Sequence, residues 1–292
     1  MLKKILITGA NGLIGYELLK QLSENNIVYA LSRSKPDIIN DNIHYIQFDF
    51  SKEWDASDLP EKIDVIYHLA QSEHFRDFPE KAQDVFKVNT FSTLALLDYA
   101  RNAKCKQFIY ASSGGIYGNS DKGFIEDLPL MNKGDLGFYL STKFCSELLV
   151  ENYSDYFEIV ITRFFFVYGE RQNKSMLVPR LVENVLNGKE ITLQGKEGLI
   201  INPIYVSDAV NALKNLLEIR GSHKINIGGN ETLSLQQICD IIGKAMGVAP
   251  MYSFSEVEPK NLIGDTSKMN RLLSPPQYTF AQGIKKLIAH CN

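Results

Sequence analysis

Gly9, Gly12 and Gly15 follow the apolar run Ile5-Leu6-Ile7 directly and open an amphipathic stretch from Leu13 to Ser23. Each glycine meets a separate steric demand: the first a tight turn, the second a close backbone approach, the third contact between helix and strand. A helix begun this way presents unpaired N–H groups and the positive end of its dipole, which suits a pyrophosphate. The segment from Ile5 to Ser23 therefore predicts a strand, a dinucleotide-binding turn and a helix in that order.

The pattern continues through the first half. Val28-Tyr29-Ala30-Leu31, Tyr45-Ile46-Gln47-Phe48, Val65-Ile66-Tyr67-His68-Leu69, Phe108-Ile109-Tyr110-Ala111 and Ile159-Val160-Ile161-Thr162 read as further buried strands. Helical patterns run over Val85 to Ala103 and Phe138 to Tyr153. Alternation of this kind predicts an α/β fold, a Rossmann-type doubly wound parallel sheet with helices on both faces. Ligands of such sheets sit beyond the carboxyl ends of the strands, where Gly9, Ala70, Ser113 and Arg163 fall. After about Gly169 the elements shorten and mix. The expected division is a dinucleotide-binding domain over 1–170, with segments around 201–219 returning to it, and a smaller mixed α/β substrate lobe over 171–292. The loop from Asn119 to Gly137 is expected to lie over the active site.

A net charge of −3 leaves no basic surplus for a nucleic-acid backbone. No apolar stretch approaches the ~20 residues of a membrane span. Lys3-Lys4 ahead of Ile5-Leu6-Ile7 reads as the entry to a strand, since Thr8-Gly9 cuts that run too short for a secretion signal. Cys105, Cys145, Cys239 and Cys291 are scattered without a CxxC pair, which predicts a reducing cytoplasm and no metal site. Cys145 is expected to be a packed thiol. Oligomeric state stays open; the helical stretches at 85–103 and 138–153 would suit a homodimer or the interior of one subunit.

Tyr139-Leu140-Ser141-Thr142-Lys143 carries the chemistry. Four residues apart on a helix, Tyr139 and Lys143 share a face, separated by about 6 Å along the axis. An ammonium ~5 Å from the phenol favours phenolate by ~3 kcal/mol at an effective dielectric of ~20. The spacing thus predicts a tyrosine lowered from its usual ~10 into the range of a general acid/base. Ser113, at the end of the fifth strand, can donate to a substrate oxygen; strand alternation turns Ser112 to the opposite face. His68 reads as core. His74 and Arg76 are candidates for a substrate pocket. After the second strand stands Ser32-Arg33-Ser34-Lys35, without an acid until Asp37. A hydroxyl and a guanidinium suit a 2′-phosphate, so NADP(H) is favoured and NAD(H) left open. Asp49 is a candidate for the adenine amino group.

Together these segments resemble the extended short-chain dehydrogenase/reductases, the NAD(P)-dependent epimerase/dehydratase family. The likeness spans nearly the whole chain. It rests on Thr8 to Gly15, His68-Leu69-Ala70, Val88-Asn89-Thr90, Ser112-Ser113 with Ile116-Tyr117-Gly118, Tyr139 to Lys143, Arg163 with Val167-Tyr168-Gly169, Tyr205-Val206-Ser207-Asp208, and Asp265 to Lys268. The resemblance implies Ser113, Tyr139 and Lys143 as the catalytic set. It implies a coenzyme set of Gly9, Asn11, Gly12, Leu13, Ile14, Gly15, Ser32, Arg33, Asp49, Phe50, Leu69, Ala70 and Asn89 beside Tyr139 and Lys143. Many relatives act on nucleotide-linked sugars. This chain departs from them at Phe166, where such epimerases carry Asn, and at Leu199 to Pro203, where they carry an arginine toward the substrate phosphates. Phe166 joins His74, Arg76 and Ser113 as a substrate candidate. The family's 4,6-dehydratases place Asp-Glu after the catalytic hydroxyl; Gly114-Gly115 stands here, which argues against elimination. The expected activity is reduction of a keto group on a sugar or nucleotide-linked sugar by NADPH. The alternatives are an NAD-retaining epimerase and an inactive cofactor sensor.

Overall fold

The computed structural model describes residues 2–130 and 136–291. Its chain divides into two compact units: Met1–Ile116, Leu130–Arg163 and Leu216–Ile225 in the first, Tyr117–Pro129, Phe164–Asn215 and Asn226–Asn292 in the second. The first unit is built on β1 (Lys4–Thr8), α1 (Leu13–Leu22), β2 (Ile27–Ser32), β3 (Ile43–Gln47), β4 (Val65–His68), α2 (Ala82–Phe86), α3 (Ser92–Asn102), β5 (Gln107–Ser113), α4 (Gly137–Glu151) and β6 (Glu158–Phe164). The partition differs from a boundary at residue 170. The chain leaves the first unit at Arg163, and the returning segment is 216–225 in place of 201–219, because a late strand there completes the sheet.

That late strand is β11 (His223–Ile227), and it follows β7 (Val167–Tyr168), β8 (Ile191–Gln194), β9 (Ile200–Ile201) and β10 (Ile204–Tyr205). The seven-stranded sheet runs β11-β6-β5-β4-β1-β2-β3. β1 through β5 pair in parallel, with Ile5 opposite Val28 on one side and Val65 on the other. Strand order reverses between β1 and β4, and a doubly wound sheet opens its binding crevice at that point. Leu6, Ile66, Phe108 and Ile161 point to one face and pack with Leu96, Leu97, Tyr99 and Ala100 of α3. At the sheet edge, β3 is only half-buried, so the stretch read as a buried third strand is wetter and starts two residues earlier than its apolar pattern suggested.

The predicted helix over Val85 to Ala103 is three pieces. Between α2 and α3 the turn Lys87–Phe91 widens to a π-helix holding Val88, Asn89 and Thr90 inside. Such a bulge is common where a helix must aim a particular side chain. Here it aims Asn89.

In the second unit β7 pairs with β10, β9 with β12 (Leu233–Ser234), and β8 with β13 (Tyr252–Ser255). Its helices are α5 (Leu177–Leu186), α6 (Val206–Asn215), α7 (Leu235–Met246), α8 (Ser267–Leu272) and α9 (Phe280–Cys291). α7 shows why its boundaries were readable: Ser234 and Gln237 form a capping box, and Gly247 closes the helix at φ +70°. Residues 131–135, part of the loop expected over the active site, lie outside the described residues, as does the side chain of Cys291. Among the described residues no helix is long and apolar enough to cross a membrane.

Candidate active site

The glycine turn takes the shape its spacing demanded. Gly9 sits at φ +67°, and a Cβ there would come 3.1 Å from the Ala70 backbone. A Cβ on Gly15 would overlap the carbonyl oxygen of Gly9. Gly12 caps α1 without any side-chain hydrogen bond and without an acid in the first turn, so the helix's leading N–H groups are left for an anion. These features fit a dinucleotide pyrophosphate. Leu13 and Ile14 are half-buried in the first turn of α1 and stand outside the cavity that opens beside it.

Thr8 welds the turn to the loop after β4. Its hydroxyl accepts from the amides of Leu69 and Ala70, 3.1 Å each, and lies 2.8 Å from His68 Nδ1. On the far side, His68 Nε2 is 3.0 Å from the Thr93 hydroxyl, which itself donates to the Asn89 carbonyl. With Thr93 acting as that donor, its oxygen is left to accept, so Nε2 carries the proton and Thr8 donates to Nδ1. Burial, with the charge of Lys143 second, pushes the imidazole down to about 3, and His68 is a neutral structural residue.

A cavity of about 530 Å³ opens at this crevice. Gly9, Asn11, Gly12, Ser32, Arg33, Asp49, Phe50, Leu69 and Ala70 of the expected coenzyme set border it. Gln71, Glu73, His74 and Asp84 border it as well, and of these only His74 was singled out from sequence as a site residue. Asn89 does not line it. Its side-chain oxygen accepts from the amide of Ser72 at 2.8 Å, and its nitrogen donates to Thr142 at 3.0 Å. Asn89 thus ties the loop after β4 to α4 instead of facing a coenzyme.

At one end of this loop the Tyr139 hydroxyl donates to Gln71 Oε1 at 2.9 Å. Lys143, four residues on, is buried; its Nζ donates to the Ala111 carbonyl at 2.9 Å and lies 5.3 Å from the centre of the Tyr110 ring. The expected acidification of Tyr139 by Lys143 does not hold in this arrangement. Burial raises the phenol above its usual value, and the Lys143 ammonium is bonded to the Ala111 carbonyl. Lys143 itself is pushed by burial down to about 8, partly restored by Glu147.

Glu147 was not foreseen, although it lies four residues past Lys143 on the same helix face. It forms a buried bidentate pair with Arg163, at 3.1 and 2.7 Å. Arg163, placed by its position at a ligand-facing strand end, instead turns into this internal pair. Ser113 is half-exposed and accepts from the Gly115 amide at 3.2 Å, while Ser112 is buried. Cys145 is exposed, against the expectation of a packed thiol, since its position on α4 points away from the Lys143 face.

At the other end Arg33 grips Glu73 through its two terminal guanidinium nitrogens, with Nη2 to Oε2 at 3.1 Å. The Ser32 hydroxyl donates to the Ser34 carbonyl at 2.7 Å. Asp49 accepts from the amide and hydroxyl of Ser51 at 3.0 and 2.7 Å. Neither group read as a 2′-phosphate ligand is available in that role, and the NADP(H) preference is not supported.

The remaining substrate candidates scatter. His74 borders the cavity and its Nδ1 is 2.9 Å from Asp77 Oδ2. Arg76 stands outside the cavity lining, its guanidinium 4.9 Å over the Phe75 ring. Phe166 belongs to the second unit and adopts φ +46°, a left-handed backbone that Asn tolerates better. Asn202, in the stretch that lacks an arginine, is buried and bonded to the backbone of Gly229 and Gly264. Among the described residues no cluster of His, Cys, Asp and Glu has the form of a metal site.

Known proteins are similar to this chain along nearly its whole length. The protein YtcB of Bacillus subtilis, an uncharacterized UDP-glucose epimerase, is 30% identical over 99% of this chain and 98% of its own. The dTDP-D-glucose 4,6-dehydratase of Homo sapiens is 27% identical over 98% of this chain and 89% of its own. The UDP-glucuronic acid 4-epimerase from Bacillus cereus, solved with UDP-glucuronic acid and NAD, covers 98% of each chain at 29% identity and a TM-score of 0.87. These relatives are epimerases and dehydratases, and they do not support the expected NADPH-dependent reductase. Residues 5–228 match the family model for NAD-dependent epimerases and dehydratases, and the chain belongs to that family.

Proposed function

We propose that this protein is an NAD-dependent epimerase of a nucleotide-linked sugar that retains its coenzyme through the catalytic cycle. One observation carries the reading: the Tyr139 hydroxyl, on the Lys143 face of α4, is bonded to Gln71 at the border of the cavity headed by the glycine turn. Gly9, Gly12 and the first turn of α1 would hold the pyrophosphate of NAD, which supplies a reversible hydride acceptor when bound.

Tyr139 manages the proton. Gln71 keeps the phenol protonated by accepting from it, and an entering sugar hydroxyl takes the place of that acceptor. Once its own proton has passed to water, Tyr139 as phenolate takes the proton of the sugar hydroxyl and returns that proton to the same oxygen when the carbonyl is reduced from the opposite face. Lys143, on the same side of the helix, offsets the charge of the phenolate at that moment. Ser113 donates to the sugar oxygen whose bond order changes.

Elimination finds no support at the positions where a dehydratase would hold its acid and base. Gly114 and Gly115 stand there with no carboxyl group to give or take a proton. The UDP-glucuronic acid 4-epimerase from Bacillus cereus was solved with UDP-glucuronic acid and NAD, which supports a nucleotide-linked sugar here. Denaturing the purified protein and analysing the released nucleotide tests the reading, together with turnover of UDP-glucose and UDP-glucuronic acid. Bound NAD and interconversion of C4 epimers without net NADH are expected. Stoichiometric consumption of NADPH would sink the epimerase.

A further inference from the structure

β2 and β4 flank β1 in the sheet, so a side chain after β2 that reaches one after β4 spans the carboxyl end of β1. Arg33 and Glu73 make that reach. They stand forty residues apart in sequence, both border the cavity, and they close on each other through two parallel hydrogen bonds. We infer that Glu73, delivered from the loop after β4, sets the coenzyme preference of this site: it occupies the guanidinium of Arg33 and excludes a 2′-phosphate from the adenosine ribose. The inference rests on the NAD reading above and adds the residue that enforces it.

The reasoning is electrostatic. Arg33 alone, beside the Ser32 and Ser34 hydroxyls, would make a phosphate site of ordinary kind. Three carboxylates share the cavity wall with it: Asp49, Glu73 and Asp84. Glu73 hydrogen-bonds the guanidinium, and the charges of Asp49 and Asp84 add to its hold on the cation. One cation among three anions leaves the wall net negative, and a phosphate dianion meets both the loss of its arginine and direct repulsion. A ribose hydroxyl meets neither and can donate to a carboxylate. An acid after β2, the usual reader of that hydroxyl, is missing from Ser32-Arg33-Ser34-Lys35. Glu73 supplies the carboxylate from the opposite side of β1.

The loop is built to hold it there. Ser72, next to Glu73, is buried, its amide bonded to Asn89 and its hydroxyl donating to Asp84 at 2.6 Å. Glu73 is therefore an exposed group on an anchored backbone, and its replacement leaves that anchor intact.

Calorimetric titration of the protein freed of its bound nucleotide, with NAD, NADP, ADP and adenosine 2′,5′-bisphosphate, reads the preference without any turnover. The wild-type protein is expected to bind NAD over NADP and ADP over the bisphosphate. Glu73→Gln, which keeps the size and removes the charge, should move both ratios toward the 2′-phosphate by about tenfold or more. Adding Arg33→Ala to Glu73→Gln should reverse that gain. Ratios within twofold of wild type in Glu73→Gln would overturn the role of Glu73 while leaving the NAD reading intact. Absence of binding by any of the four ligands to the wild-type protein would overturn the coenzyme reading and this inference with it.

Discussion

Around Tyr139 the polar groups share one face of α4 and are largely buried: Lys143 and Glu147 follow at intervals of four, and Arg163 joins from β6. Around Arg33 they come from the ends of different strands and lie in solvent, with the two paired side chains 59% and 57% exposed. The same kind of contact, a bidentate guanidinium–carboxylate pair, occurs in both places. In the first it is part of the protein's interior. In the second it is a surface contact whose consequence is for a ligand. The difference teaches that an ion pair's value here is set by the dielectric around it, so equal geometry predicts unequal effects.

The sharpest way to break that comparison is at Glu147. Glu147→Gln leaves the Arg163 guanidinium buried with its carboxylate partner gone, a loss of ~3–5 kcal/mol in stability. Urea unfolding of the variant should show this as a lower midpoint with an unchanged slope. The double replacement Glu147→Leu with Arg163→Met should recover much of it. A midpoint within experimental error of wild type would mean that the buried pair is no more valuable than the exposed one.

Next in size is Tyr139→Phe. Loss of a general acid/base removes at least about 100-fold in turnover, while NAD affinity measured by titration stays near wild type because the glycine turn is untouched. Near-normal turnover would take Tyr139 out of the mechanism.

Why one end was legible in the amino-acid sequence and the other was not follows from chain distance. Tyr139, Lys143 and the glycine turn are local patterns, each fixed by helix or turn geometry over a few residues. Glu147 obeys the same periodicity and was available to that reasoning, but its partner Arg163 was assigned by strand position alone. Arg33 was read from its immediate neighbours, which are hydroxyls and a lysine. Its actual partner is forty residues away, brought near only because β4 inserts beside β1 in the sheet. No spacing rule in the chain announces that contact. The π turn at Asn89 was hidden for a similar reason: Val85 to Ala103 has the apolar period of one helix, and the bulge exists to bring an amide between Ser72 and Thr142.

The titration of Lys143 sharpens the account of the buried end. Its ammonium is lowered from the usual 10.5 to about 8 by burial, with Glu147 opposing. The folded protein therefore gives up this proton before the unfolded chain does. The cost of burying the charge is present in full below pH 8 and is relieved as pH rises toward 10.5, so this residue's contribution makes stability rise with pH through that window. Turnover should move the other way. Loss of the cation that offsets the phenolate predicts a fall above about pH 8, read from a kcat profile. The falling limb should shift to lower pH in Glu147→Gln and disappear in Lys143→Met. A profile unchanged in both variants would separate Lys143 from catalysis.

The smallest effect belongs to Arg33→Ala. An exposed pair contributes ~0–1 kcal/mol to folding, because solvent screens the Coulomb term and two long side chains give up rotamer freedom to meet. Thermal melting of this variant should fall within a degree or two of wild type, scaled from about 2–4 °C per kcal/mol for a chain of this size. Its signature lies instead in salt dependence. If the pair is screened as exposure implies, raising the ionic strength should narrow even this small gap, since exposed charges lose their interaction within ~8–10 Å at physiological salt and above. A large, salt-insensitive loss of stability in Arg33→Ala would place this pair in the same class as Glu147 and Arg163, and the contrast between the two ends would fail.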